Sequence, residues 1–203
     1  MKSKWFAPIP PYLAIWIGLF LFKNSWAALI GFHLAILIVL FILRPHLPLS
    51  TFLRNADKRL LIFTLVLCAL SGPGLYLLRN VLGISANLRM QLAELGLSGD
   101  VWVGFILYFS VVNPIIEEYF WRGALGSDIR TFHSIDFVYA GYHAMVLWNK
   151  TSLFSMGLTI FSLTCMGWLW RQIYRLDDSL LTPVLGHAVA DLSILLAVFF
   201  MVN

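Results

Sequence analysis

The sequence predicts an all-α protein: a polytopic membrane helical bundle of about seven transmembrane helices plus one interfacial helix, laid out as a single transmembrane domain over residues 1–203. Three observations carry that expectation. Only 12% of the residues are charged, against 60% hydrophobic and 15% aromatic. Soluble domains carry about 25% charged residues, so in water this chain would lack the charge to cover its surface. Mean hydropathy is +0.84, and the apolar residues form blocks close to the roughly 20 residues that span a bilayer. The basic residues lie scattered between those blocks. A soluble enzyme, a disordered chain and a disulfide-stapled scaffold are excluded on these grounds.

The first apolar run, 5–22, follows Lys2 and Lys4 and contains Pro8, Pro10 and Pro11. It has no small-x-small cleavage site and a second run, 26–43, follows almost at once, so it reads as a retained span. The basic loop 44–59 reads as an ordinary cytosolic loop drawn to anionic headgroups. The third span is 60–78. Residues 80–100 are not apolar throughout, but Ile84, Leu88, Leu92 and Leu95 recur at helical spacing with Arg89 and Glu94 on other faces. That pattern suits a helix lying in the interface. Four more spans follow, at 101–121, 135–149, 153–170 and 180–201. Cys68 and Cys165 fall inside apolar runs and form neither a metal pair nor a disulfide framework. No Lys/Arg stripe with interleaved aromatics accompanies the net charge of +4, so no nucleic-acid partner is expected.

Orientation follows from the basic residues. With the N-terminus in the cytosol, the inner side collects Lys2, Lys4, Arg44, Arg54, Lys58, Arg59, Arg122, Arg130, Arg171 and Arg175, ten of the 14. The outer side receives Lys23, Arg79, Arg89 and Lys150, the other four. The expectation is an integral, multi-pass protein with a cytosolic N-terminus and an external C-terminus.

Charges near a helix centre cost about 2.5–3.5 kcal/mol each on insertion, yet three spans carry ionisable groups. The fourth ends Asn113-Pro-Ile-Ile-Glu117-Glu118-Tyr-Phe-Trp-Arg122, the fifth holds Tyr139-Ala-Gly-Tyr-His143, and the seventh holds His187-Ala-Val-Ala-Asp191. Glu117, His143 and His187 lie at roughly 7–12 Å from the cytosolic ends of their spans, one shared layer. Glu118 and Arg122, four apart, suit a structural ion pair. Glu117 is rotated about 100° away and is left as a candidate general base. His187 and Asp191 share one face, and His143 adds a ligand or proton carrier. His33 and His46, without a charged partner in register, read as structural, and His133 as a loop residue.

Together these motifs resemble the CPBP group of intramembrane proteases, which includes the CAAX prenyl endopeptidases of the Rce1 type and bacterial relatives linked to bacteriocin processing and immunity. The stretch Phe161-Ser-Leu-Thr-Cys-Met-Gly167 and the approach Thr182-Pro-Val-Leu-Gly-His187 look like the family's as well. The resemblance covers about 105–200, and the first three spans look generic. It implies hydrolysis of a peptide bond in a membrane-associated substrate, prenylated or a peptide precursor, that enters from the bilayer or the cytosolic face. Glu117 would take a proton from water, His143 would orient that water, and His187 with Asp191 would stabilise the oxyanion. Glu118 and Arg122 would support the site. No cofactor is required in this view, although Glu117, His143 and His187 have the donor types for zinc with an open water position.

Three positions depart from the family's pattern: Tyr139 for Phe, Thr164 for Gly, and Asp191 where Asn is common. An ionised Asp cannot donate to an oxyanion, so Asp191 is either protonated or orients His187. A non-catalytic immunity or binding scaffold is the alternative this departure motivates. A proton-coupled transporter is a third class, and the absence of a detectable inverted repeat counts against it.

Overall fold

The structure, a computed structural model, describes residues 2–203. It is helical, and there is no strand among the described residues. After a short turn at Lys2–Phe6, α1 (Ile9–Trp16) carries Pro10 and Pro11 in its first turn, where a missing N–H costs nothing, and continues as a widened turn through Ile17–Leu21. α2 (Ser25–Leu43) starts where Asn24 Oδ1 accepts the Ala27 N–H at 2.9 Å. α3 (Lys58–Ala69) starts where Asp57 accepts from the Arg59 and Leu60 amides, and α4 (Ser71–Leu78) follows after a single residue. α5 (Leu88–Glu94) is the expected short interfacial helix. It buries Leu88 and Leu92 against Trp102 and Val202 and leaves Arg89 and Met90 exposed.

α6 (Val101–Glu118) runs into a wide π turn, Tyr119–Ala124. α7 (Ser134–Gly141) and α8 (His143–Leu147) are short, whereas α9 (Leu153–Asp177) and α10 (Leu181–Val202) are long. The outward faces are apolar, as at Leu34, Ile38, Phe41, Phe63, Val103, Leu107, Phe161 and Phe200. Exposed apolar surface on that scale suits lipid rather than water.

Six helical segments among the described residues are long and apolar enough to cross a membrane: Lys4–Leu21, Ser25–Leu43, Lys58–Leu78, Val101–Ala124, Leu153–Asp177 and Leu181–Val202. The expected continuous span over 135–149 is corrected to α7 and α8, broken at Tyr142. The cause lies on α1. The Tyr12 hydroxyl donates to the Val138 carbonyl at 2.5 Å, which is the acceptor the Tyr142 N–H would use in a continuous helix. That N–H turns instead to the Ala140 carbonyl, and α7 stops. A side chain inserted into the ladder is a recognised origin of such breaks.

The chain nevertheless changes sides between α6 and α9. Leu180 N–H donates to Thr51 O at 2.9 Å, Ser179 Oγ to Arg54 O at 3.0 Å, and Lys4 Nζ to Ala124 O at 2.9 Å. These bonds gather the N-terminus, the α2–α3 connection, the end of α6 and the α9–α10 turn on one side. On the other, Ser25 N–H donates to Leu95 O, Ser85 N–H to Lys150 O, and Thr151 Oγ1 to Leu82 O. α6 and α9 therefore run in the same direction, and α7 with α8 makes the return crossing.

That return is anchored by a pair the spacing did not reveal. Arg171, assigned above to the basic inner side, is buried in α9 and holds Asp136 of α7 through Nε at 2.9 Å and Nη2 at 2.7 Å. It also donates to the carbonyls of Ser127, Ile129 and Thr131. Backbone without helical partners is thus satisfied inside the protein, as a low-dielectric setting requires.

Candidate active site

Consecutive residues on a helix point about 100° apart, and that rotation separates the two acids at the end of α6. Glu118 faces α10 and α9. Its Oε1 accepts from Arg122 Nη1 at 3.0 Å, one helical turn on, and from His187 Nδ1 at 2.8 Å. All three side chains are buried. The Arg122 guanidinium lies 3.8 Å from the Tyr139 ring centroid and 5.1 Å from that of Trp170, and the Trp170 indole stacks on His187 at 4.9 Å. Two glycines permit this closeness. A Cβ on Gly167 would stand 2.9 Å from the Tyr139 ring and 3.1 Å from Arg122 Nη2. One on Gly186 would stand 2.5 Å from Thr64 Cγ2, keeping α10 off α3.

Glu117 points elsewhere and is fully buried. Its Oε2 accepts from Trp121 Nε1 at 3.1 Å and its Oε1 from the Tyr142 hydroxyl at 2.6 Å. No cation pairs with it among the described residues. A carboxylate has about four lone-pair sites, so these two neutral donors orient Glu117 and leave acceptor capacity. Tyr142 stacks on His143 with ring centroids 4.0 Å apart. His143 Nδ1 lies 3.2 Å from the Ala140 carbonyl, which accepts, so the proton sits on Nδ1 and Nε2 offers the free lone pair.

His187 Nε2 faces Asp191 Oδ2 at 3.5 Å. That oxygen accepts from Asn113 Nδ2 at 3.2 Å. Asn113 Oδ1 meets His33 Nε2 at 3.0 Å, and His33 Nδ1 meets the Tyr108 hydroxyl at 3.1 Å.

Of the residues expected from sequence, Glu118, Arg122, His187 and Asp191 fall in one network. Glu117 and His143 meet through Tyr142. The Tyr139 ring lies between the two histidines, 5.9 Å from His143 and 6.3 Å from His187. The three suggested zinc donors, Glu117, His143 and His187, are not gathered as one ligand group: no group of three His, Cys, Asp or Glu side chains that could hold a metal ion occurs among the described residues.

Tyr142, Trp121, Trp170, Asn113 and His33 were not expected to contribute. Trp121 and Asn113 had a signal, since each lies four residues from Glu117, Asn113 on α6 and Trp121 in the π turn that continues it. His33 had none, because its partner lies on another helix. His133 caps α7: its Nδ1 accepts the Ile135 N–H while Asp136 accepts the His133 N–H.

The match to known proteins falls on this half of the chain. A family model described as type II CAAX prenyl endopeptidase Rce1-like matches residues 99–193, from just before α6 to just past Asp191. No curated protein and no solved structure matches the chain.

Proposed function

Residues 99–193 match the type II CAAX prenyl endopeptidase Rce1-like family, and from that match we propose that this integral membrane protein hydrolyses a peptide bond of a membrane-associated substrate through a water activated by Glu117. The observation that carries the reading is the division of labour between adjacent acids. Glu118 takes the two basic side chains of the site, Arg122 and His187, whereas Glu117 is held only by the neutral Trp121 and Tyr142 donors. A carboxylate spared a cationic partner keeps the basicity needed to deprotonate water.

In this mechanism Glu117 removes a proton as the water oxygen attacks the scissile carbonyl carbon. His143 Nε2 accepts the water's other hydrogen and so aims its lone pair. His187 donates to the developing oxyanion through Nε2–H, and Glu118 orients that imidazole through Nδ1. Collapse breaks the C–N bond, and Glu117 returns its proton to the leaving amine. Asp191, which accepts from Asn113, orients His187 rather than donating to the oxyanion itself. The residues Glu117, His143 and His187 carry the chemistry, with Glu118, Arg122 and Asp191 in support. The substrate is a peptide or protein whose cleavage site reaches this layer from the bilayer or the cytosolic face. The cytosol lies on the N-terminal side, where ten of the 14 basic residues fall.

The test compares peptide termini in membranes carrying wild-type protein with those carrying Glu117→Ala at matched abundance. Termini found only with wild type establish proteolysis and name the substrate. Identical termini, with both proteins folded and a fluorogenic farnesylated CAAX peptide left intact, would replace this reading with a binding scaffold.

A further inference from the structure

The polar chain from α2 to Asp191 has a direction that donor and acceptor chemistry fixes. A carboxylate oxygen accepts, so the group Asn113 turns to Asp191 is its amide nitrogen, at 3.2 Å. The Asn113 amide oxygen then faces His33 Nε2 at 3.0 Å. An amide oxygen only accepts, so His33 carries its proton on Nε2. The remaining nitrogen, Nδ1, has a lone pair in the neutral ring, and the Tyr108 hydroxyl 3.1 Å away donates to it. Every hydrogen in the row points toward the carboxylate: Tyr108 to His33, His33 to Asn113, Asn113 to Asp191. Chains of this kind polarise each link in one sense.

The row passes outside the family-matched region at His33. His33 sits on α2, is 2% exposed, and touches none of the charged groups of the site directly. Asn113 is 1% exposed and buried on α6 one turn before Glu117. A buried amide between two helices has a structural use of its own, yet here both ends of the amide are committed, and its donor end is spent on the acid that faces His187 Nε2.

We infer that Asn113 and His33 are positioning residues for the hydrolytic site: they fix Asp191 as an acceptor, and so aim His187, with His33 acting from α2, outside the family-matched residues. The inference rests on the proposed proteolysis for its kinetic consequence only. It also explains how a carboxylate serves at position 191. The Asn113 amide supplies a donor opposite Asp191, so the amide and carboxylate form a complementary pair across α6 and α10, and exchanging them would preserve the pairing.

The exchange is the experiment. Purified full-length protein in nanodiscs is assayed with a fluorogenic farnesylated CAAX peptide, with melting temperature measured alongside. Asn113→Ala lowers kcat about tenfold with KM unchanged. Asn113→Asp, which sets two carboxylates face to face, lowers it about a hundredfold, each tenfold step being about 1.4 kcal/mol of barrier. Adding Asp191→Asn to Asn113→Asp restores the donor–acceptor match and recovers at least about tenfold. His33→Phe reproduces the Asn113→Ala loss, and His33→Gln, which keeps a donor, is milder.

A second readout needs no activity. With only five histidines, selective 15N labelling resolves each ring. His33 is expected as the Nε2–H tautomer, and the His187 nitrogens shift in Asn113→Ala. If wild type leaves the peptide intact while both 15N results appear, the proteolytic reading fails and the positioning row stands. If wild type cleaves but Asn113→Ala keeps its kcat and the His187 signals stay put, the inference is overturned. It is equally overturned if the exchange variant is no better than Asn113→Asp alone, or if His33 carries its proton on Nδ1.

Discussion

Glu118 and Glu117 are neighbours in sequence, but their surroundings predict opposite responses to the same substitution. Glu118→Ala strands Arg122 and His187 as buried cations without a counter-charge, and breaking such a pair costs about 3–5 kcal/mol. The expected outcome is a large drop in melting temperature in detergent and little folded protein. Glu117→Gln removes only an acceptor of two neutral donors, so the fold survives while cleavage is lost. Equal instability of the two variants would contradict the division between them. Tyr142→Phe is the finer probe. It deletes the 2.6 Å hydrogen bond that orients Glu117 while keeping the ring stacked on His143. A hydrogen bond to a charged group is worth roughly 1.5–3 kcal/mol, so the melting temperature should fall by several degrees and kcat at least about tenfold, with the protein still folded. The Glu118–Arg122 pair was legible because a four-residue spacing is written within one helix. Tyr142 with Glu117, and Asn113 with Asp191, join different helices across 25 and 78 residues of chain. Nothing local in the sequence encodes such a meeting.

Helix α7 shows what periodicity and hydropathy miss. Apolar residues over 135–149 support a continuous span, and only tertiary contacts reveal why it stops. Tyr12 of α1 takes the Val138 carbonyl, and the buried Asp136–Arg171 pair fixes the start of α7 on α9. Tyr12→Phe should let the Tyr142 amide return to Val138, joining α7 to α8 and turning the Tyr142 and His143 side chains away from Glu117. The measurable results are slower amide exchange at Tyr142 and a loss of cleavage without a loss of fold. Arg171→Leu leaves Asp136 buried without its cation and frees the Ser127 and Thr131 carbonyls, so it should destabilise by about 3–5 kcal/mol. α1 and α2, featureless as sequences, thus touch the site at two places: Tyr12 at the helix break and His33 behind Asn113.

Over the whole molecule, the expected helical membrane bundle agrees with the structure, as does the interfacial helix at α5, because block hydropathy records lipid exposure directly. The two chain ends lie on opposite sides, as an odd number of crossings demands. With the N-terminal side in the cytosol, a membrane-impermeant thiol reagent applied outside intact cells should label Ser98→Cys and spare Ser50→Cys, in a background where Cys68 and Cys165 are replaced. The reverse pattern would invert the orientation. The broken crossing has one more consequence. Residues 134–147 rise only about 21 Å as helix, against roughly 30 Å of hydrocarbon. Such hydrophobic mismatch is relieved by local thinning of the bilayer. The expected consequence is a leaflet that thins beside α7 and α8, which shortens the path of water and of a scissile bond from the headgroups to His143.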